Sequence, residues 1–420
     1  MTSEGSRRAV RLGILNRAFG EVGKTFADPN VVLSLLARQL GASNVLVGLL
    51  STLRYGGWFL PQLIVAHRVQ GRALRGRVYC AAELFRCGGY AVIAILLLTV
   101  SRQTLLLPLF FAVFAISYVG HGVGSVPRFD VIGRVIRENE RGPFFARSNL
   151  VAGLLGFGTG FAVRALLASE EGGPPLDRFA LLVLLSIAFF VLAVIAFAAI
   201  REPPGRTAGH RSTLWGAFRS IPGLMRSSAS YRRLVGVIVL TDVARRITDP
   251  FYIIFATEVL DVPISYAGVY LATLVAAKIA ANILWEWIGR RFGNHRVLQG
   301  AAAAGLAVPA GALAFAVLLS HLGTASGLAF TAIFALMGVR DSGKYIGKRT
   351  VFLDLVPEEG WPTHWGALNT LLGAVSLLPV LAGTLIDVAG YTMTFAVVTA
   401  VASLGAGLSL RIRGIVGEAG

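Results

Sequence analysis

The chain has 420 residues, 55% of them apolar and only 15% charged, with a mean hydropathy of +0.69. Soluble domains carry roughly 45–50% apolar and 25% charged residues, so this composition excludes an ordinary soluble domain, and the hydropathy excludes a disordered chain. A formal charge of +17 on so apolar a chain fits basic loops on one side of a membrane rather than nucleic-acid binding, since no basic patch interleaves with exposed aromatics.

Hydrophobic runs stand near 13–37, 44–66, 78–100, 104–127, 144–168 and 178–200, then near 233–257, 264–288, 297–320, 324–347, 364–386 and 391–411. Each approaches the roughly 20 apolar residues that span a bilayer as a helix. The predicted class is all-α: twelve transmembrane helices in two pseudo-symmetric six-helix bundles. The predicted domains are a cytoplasmic tail over 1–12, a bundle over 13–200, a cytoplasmic linker over 201–232, a bundle over 233–411 and a cytoplasmic tail over 412–420.

Orientation follows from Lys and Arg in alternate connections. One side takes Arg7, Arg8, Arg11, Arg68, Arg72, Arg75, Arg77, Arg134, Arg137, Arg141, the linker, Arg290, Arg291, Arg296, Lys348, Arg349, Arg411 and Arg413; the other has little more than Arg38, Arg102 and Arg178. Both termini are therefore expected in the cytoplasm of a multi-pass cell-membrane protein. The polar start, 1–11, precedes a long apolar stretch rather than a short one with a cleavage site, which disfavours a cleaved signal peptide. In the linker, Leu214, Trp215, Phe218, Ile221 and Met225 recur at helical spacing, as in a helix lying on a membrane surface, although Pro222 interrupts the pattern. Cys80 and Cys87 read as buried, reduced thiols without partners for a metal.

The two halves repeat. A shift of 221 places Asp28-Pro29 on Asp249-Pro250, Thr52-Leu53 on Thr273-Leu274, Glu21 on Asp242 and Lys24 on Arg245; a shift of 220 places Asn149 on Asn369 and Gly153 on Gly373. Duplication of an even-span unit in parallel orientation is how one large transporter class is built. The chain thus resembles the major facilitator superfamily over nearly its whole length: six plus six spans, a basic central linker, and basic connections after the second and eighth spans. That family's loop signature is roughly Gly-x-x-x-Asp-Arg-x-Gly-Arg-Arg. Here the second copy reads Arg290-Arg291-Phe292-Gly293-Asn294-His295-Arg296, with Arg290 where the acid stands, and the first reads His67-Arg68-Val69-Gln70-Gly71-Arg72. The resemblance makes Arg68, Arg72, Arg290 and Arg291 gate-loop residues, and Glu286, one turn before Arg290, supplies a local acid. The loop Glu140-Arg141-Gly142-Pro143 also looks like the family's, whereas Gly153, Gly156, Gly158 and Gly160 lack the Gly-Pro pair of its drug antiporters.

Ionisable groups within the spans cost about 2.5–3.5 kcal/mol each on the insertion scale and need a partner or a wet cavity. The first span carries Glu21, Lys24 and Asp28; the seventh carries Asp242, Arg245, Arg246 and Asp249 in matching order. Neutralisation along one helix is one account of each set. A buried ion pair seldom stabilises more than its hydrophobic replacement, which favours a working role instead. In the resembled family the first and seventh helices line the central cavity, so these carboxylates are candidates for proton exchange and the bases for holding an anionic group. Pro29 and Pro250 are expected to bend each helix just beyond the charges. Secondary candidates are Arg340, Asp341 and Lys344 on the tenth span, Asn149 and Asn369 as interhelical hydrogen bonders, and Glu83 with Arg86 as a pair on the third. His121 stands where the family often has Arg and reads as an interhelical histidine, with titration near neutrality as the alternative. Arg54, Arg147, Arg164 and Lys278 snorkel or pair.

No Walker-type loop, His-Glu-x-x-His or Gly-x-Ser-x-Gly is present, so the expectation is a non-enzyme without cofactor or metal, driven by a gradient. The functional expectation is a monomeric, alternating-access transporter of a small organic solute, anion or zwitterion favoured, coupled to protons. An exporter of neutral amphiphiles stands as the alternative. So does a non-transporting sensor or assembly protein, motivated by the acids missing from both loop copies.

Overall fold

The computed structural model describes residues 3–70, 74–136, 138–168, 174–203, 222–223, 225–226, 228–319, 324–356 and 361–412. Among them every regular element is helical. The first group is α1 (Ser3–Phe26), α2 (Val32–Gln39), α3 (Asn44–Gln70), α4 (Gly76–Thr99), α5 (Gln103–Val135), α6 (Glu138–Leu167) and α7 (Leu176–Ala198). Then come α8 (Ala229–Thr248), α9 (Phe251–Glu258), α10 (Tyr266–Phe292), α11 (Asn294–Ala314), α12 (Thr324–Leu355), α13 (Trp361–Ala374) and α14 (Leu378–Ser409). Most of the linker, with the helix expected around Trp215, lies outside the described residues, as do Arg72 and the 413–420 tail.

Seven helices among the described residues are long and apolar enough to cross a membrane, against the twelve spans expected. Two of the expected runs join through a 3-10 turn at Val375–Leu377 into one stretch, Ala367–Ser409, redirected at Gly390, whose φ of 76° is open to a residue without Cβ. The first, second, seventh and tenth runs fall outside the set; the first, seventh and tenth carry the charges of the candidate site. Large apolar side chains stand outward on the apolar helices, as at Ile195, Ile283 and Val388, which a soluble surface would not sustain over so many helices.

The Asp-Pro pairs break their helices at matching places. Beyond α1, Asp28 turns the chain: its carboxylate accepts the Asn30 N–H at 2.9 Å and its carbonyl accepts the N–H groups of Val31 and Leu33. The Ser34 hydroxyl donates to the Pro29 carbonyl at 2.9 Å. In the second half, α8 runs up to Asp249, whose N–H still donates to the Arg245 carbonyl, and Pro250 starts the separate helix α9, buried over Phe251–Ala256.

The chain divides into two compact units. Unit 1 holds Met1–Ala42, Leu53–Arg211 and Ile264–Ala272; unit 2 holds Ser43–Thr52, Ser212–Pro263 and Thr273–Gly420. In unit 1, α1 packs on α6 and α7, and α4 packs on α5 and α7. In unit 2, α8 packs on α14, and α11 packs on α12 and α14. Aromatic rings fill the unit 2 core, where Phe255 meets Phe395 at 5.2 Å and Phe330 at 5.7 Å.

At one end of unit 1, Glu202 closes the start of α4. Its two carboxylate oxygens accept the backbone N–H groups of Arg75 at 2.9 Å and Gly76 at 2.7 Å. Arg134 reaches Glu202 at 3.0 Å and also pairs with Asp130, which binds Arg75 at 2.7 Å. A carboxylate at a helix N-terminus satisfies orphan donors and meets the favourable end of the helix dipole. In unit 2 side-chain amides near the start of α11 make the contacts: Asn294 donates to the Asp354 carboxylate at 2.9 Å, and Gln299 donates to the carbonyls of Ser409 and Ile412. Glu202→Ala is therefore expected to lower stability by about 1–2 kcal/mol, the value of a helix cap, with Glu202→Gln intermediate; thermal unfolding in detergent measures both.

Candidate functional site

The charges expected on the seventh and tenth spans meet inside unit 2. Arg340 of α12 grips Asp249 with both terminal nitrogens, at 2.9 and 3.1 Å, while its Nε donates to Asp341 at 2.9 Å. Side chains of Arg340 and Asp249 are 4% and 3% exposed, so this fork is desolvated and charge-assisted. Arg245 bridges along α8, 3.2 Å from Asp242 and 3.4 Å from Asp249. Asp242 also faces Arg246 at 3.6 Å and contacts the Lys344 ammonium.

Helix geometry explains the assembly. Asp242, Arg245, Arg246 and Asp249 fall at spacings of three and four, so they form a stripe along α8. Arg340 and Lys344, four apart, form the matching stripe on α12, and Lys348 continues it one turn on. Among the described residues, the cations Arg245, Arg246, Lys278, Arg340, Lys344 and Lys348 thus gather around the carboxylates Asp242, Asp249 and Asp341. The set stands close to the middle of the 229–258 and 324–355 segments. Asp341 is the most accessible acid, at 32% exposed.

The corresponding charges of the first span behave differently. Glu21 pairs along α1, with Lys24 at 3.6 Å and Arg17 at 3.9 Å. Asp28 serves as the turn cap described above. The repeat thus preserves residue types and the helix break, but the unit 1 helix lacks the stripe of α12: the position matching Arg340 at a shift of 220 is Gly120.

Unit 1 builds its buried ionic cluster elsewhere. Glu83 of α4 divides its carboxylate between Arg86 at 2.5 Å and Nδ1 of His121 on α5 at 2.9 Å. The Arg86 guanidinium lies 3.7 Å from the centre of the Phe190 ring. Below it, the Asn16 amide donates to the Tyr79 hydroxyl at 3.0 Å and the Ala193 carbonyl at 2.8 Å, and accepts from Arg128 at 3.1 Å. Sequence reading missed Asn16, Arg128, Asp130 and Glu202. Asp130 stands in the last turns of α5 and Glu202 just beyond α7, and no apolar periodicity marks either.

Asn149 and Asn369 are half-buried on α6 and α13, away from both clusters' hydrogen bonds. Glu286, Arg290 and Arg291, expected in a gate loop, stand instead on the last turns of α10, where Glu286 pairs with Arg290 at 2.5 Å on an exposed surface, a contact worth about 0.3–0.5 kcal/mol. Arg291 stacks on Phe292 at 5.8 Å. The Arg68 side chain lies outside the described residues. Cys87 is buried and Cys80 only half so, and both are free thiols.

No family model matches the sequence, and no curated protein sequence does either. Solved structures do match. The nucleoside transporter NupG is similar at a TM-score of 0.73 and 11% identity, over 97% of this chain and 99% of that one. A D-xylose-proton symporter is similar at 0.70 and 12%, over 97% of each chain. A bacterial homologue of the iron transporter ferroportin, in an inward-facing state, is similar at 0.69 and 14%, over 96% and 98%. Likeness end to end at such low identity is likeness of fold: the chain is a multi-pass membrane protein with the fold of the major facilitator superfamily transporters.

Proposed function

We propose that the protein is a secondary transporter working by alternating access, that its solute is a small organic anion or a zwitterion presenting an anionic group, and that protons couple through Asp242, Asp249 and Glu21. Twelve spans and cytoplasmic termini belong to this reading. The observation that carries it is the α8–α12 cluster, where cations crowd around Asp242, Asp249 and Asp341 at the middle of their helices. Cations crowded at the middle of two helices in a low-dielectric interior favour an anion that shares them. Arg340 is spent on Asp249 and Asp341, whereas Lys344 holds its ammonium group on a flexible stem against Asp242. An arriving carboxylate or phosphate competes with Asp242 for Lys344, and a proton on Asp242 lets it win. That exchange links solute binding to protonation.

Purified protein reconstituted in liposomes under an imposed proton gradient tests this. The probes are radiolabelled mono- and dicarboxylates, phosphate monoesters, amino acids and neutral amphiphiles. The expected result is flux of an anionic probe, lost at least tenfold in Lys344→Met and uncoupled from the gradient in Asp242→Asn. The same probe at a hundred times its dissociation constant stabilises the wild type by about 2.7 kcal/mol, seen as a raised thermal midpoint. Flux confined to neutral amphiphiles, or equal in wild type and all carboxylate variants, overturns the reading.

A further inference from the structure

The α8–α12 cluster leaves unused a titratable group in unit 1. His121 lies about 140–200° around α5 from the outward apolar residues Leu105, Ile116 and Val119. Its side chain is nonetheless 36% exposed, while its partner Glu83 is 6% exposed. The accessible edge of the imidazole is therefore turned away from the apolar surround. Nδ1 is held by Glu83, so Nε2 is the nitrogen left for a proton. Arg86, fixed over Phe190, occupies the other Glu83 oxygen and keeps the carboxylate aimed.

The repeat supplies an independent observation. The shift of 220 that matches Asn149 with Asn369 also matches His121 with Asp341. Asp341 is 32% exposed and held by a buried arginine; His121 is 36% exposed and held by a buried glutamate. Each unit thus places one partly accessible titratable group at the same point of its fourth span, each fixed by a buried group of opposite charge.

We infer that His121 with Glu83 is a second proton-binding site, in which Nε2 takes a proton and the imidazolium is held by the Glu83 carboxylate. The other charged or titratable groups bearing on it are Arg86 from α4, Tyr118 and Arg128 from α5, and Arg54 of α3, which acts on Tyr118. Arg86 and Arg128 oppose the added charge. Glu83, in direct contact, favours it. Use of the site in transport rests on the transporter reading above; proton binding does not.

The test is nitrogen NMR of ring-labelled histidine in the nanodisc-reconstituted full chain, with His121→Gln assigning the resonance. The expected result is a His121 ring that changes from protonated to neutral between about pH 5 and 8. In Glu83→Gln its proton affinity falls about tenfold or more, while His295 and His364 keep their curves. A His121 ring that holds one protonation state throughout overturns the inference, and the wild-type curve alone decides this if the variant misfolds. A midpoint unmoved by Glu83→Gln also overturns it. A titrating pair in a chain that moves no solute upholds the site and removes the transporter reading; a silent pair in a chain that moves solute does the reverse.

Discussion

Arg340→Leu is expected to lower folding stability by about 3–5 kcal/mol and to abolish solute flux. The guanidinium satisfies two acids at once, Asp249 through a two-pronged contact and Asp341 through Nε. Its loss strands Asp249, 3% exposed, with Arg245 at 3.4 Å as the nearest remaining cation. Asp249→Asn is expected to cost less, because Arg340 keeps Asp341 and the amide still accepts one hydrogen bond. The double variant Asp249→Asn with Arg340→Met separates structure from transport. Removing both charges of a buried pair is often neutral, so stability is expected to return to within about 1 kcal/mol of the wild type. Flux is expected to stay absent, since the chain then lacks one acid and one base of the exchange. Unfolding midpoints in detergent and flux in liposomes read the two quantities separately. A double variant that both folds and transports makes this pair a structural strut and leaves Lys344 and Asp242 to carry the chemistry.

Much of this arrangement was legible in the chain. The Asp-Pro register announced both helix breaks, because a proline without an N–H and an aspartate able to cap a turn act locally. The stripe of Asp242, Arg245, Arg246 and Asp249 was legible for the same reason, since spacings of three and four report a helix face. What periodicity does not report is the partner. Asp249 and Arg340 are 91 positions apart, and only packing brings α12 against α8. Glu83 was read with Arg86 from spacing alone, and the carboxylate oxygen that binds His121, 38 positions on, was invisible. The repeat does not extend to the partners: Glu21 pairs along its own helix and Asp28 caps a turn, and the positions matching Arg340 and Asp341 at a shift of 220 are Gly120 and His121. Of the expected spans, those at α1, α3, α8 and α12 fall short of the apolar length and composition that crosses a membrane, and ionic groups stand on α1, α8 and α12.

Gly122→Leu and Gly338→Leu are expected to lower stability by about 3 kcal/mol or more, and Gly122→Ala by about 1–3 kcal/mol. In unit 1 the second and fourth spans cross at glycine: a Cβ at Gly122 would lie 2.4 Å from the Gly57 carbonyl oxygen and 2.9 Å from that of Trp58. Unit 2 repeats the crossing, with a Cβ at Gly338 only 2.3 Å from the Leu274 carbonyl oxygen. The obstacles are backbone atoms of a helix, so relief requires the helices to separate rather than a side chain to turn. Gly158, whose Cβ would meet nothing within 4 Å, is the control: Gly158→Ala is expected to be neutral or to stabilise by up to about 1 kcal/mol. The crossings also bear on the ionic groups. His121 immediately precedes Gly122, and Arg340 follows Gly338 by two residues, so each glycine sets the depth and rotation of the helix that aims a charge. Prying α5 from α3 would draw His121 off Glu83, and prying α12 from α10 would loosen the fork on Asp249. Gly122→Ala is therefore expected to depress the His121 proton affinity as well as the thermal midpoint, a pairing that a purely structural crossing would not produce.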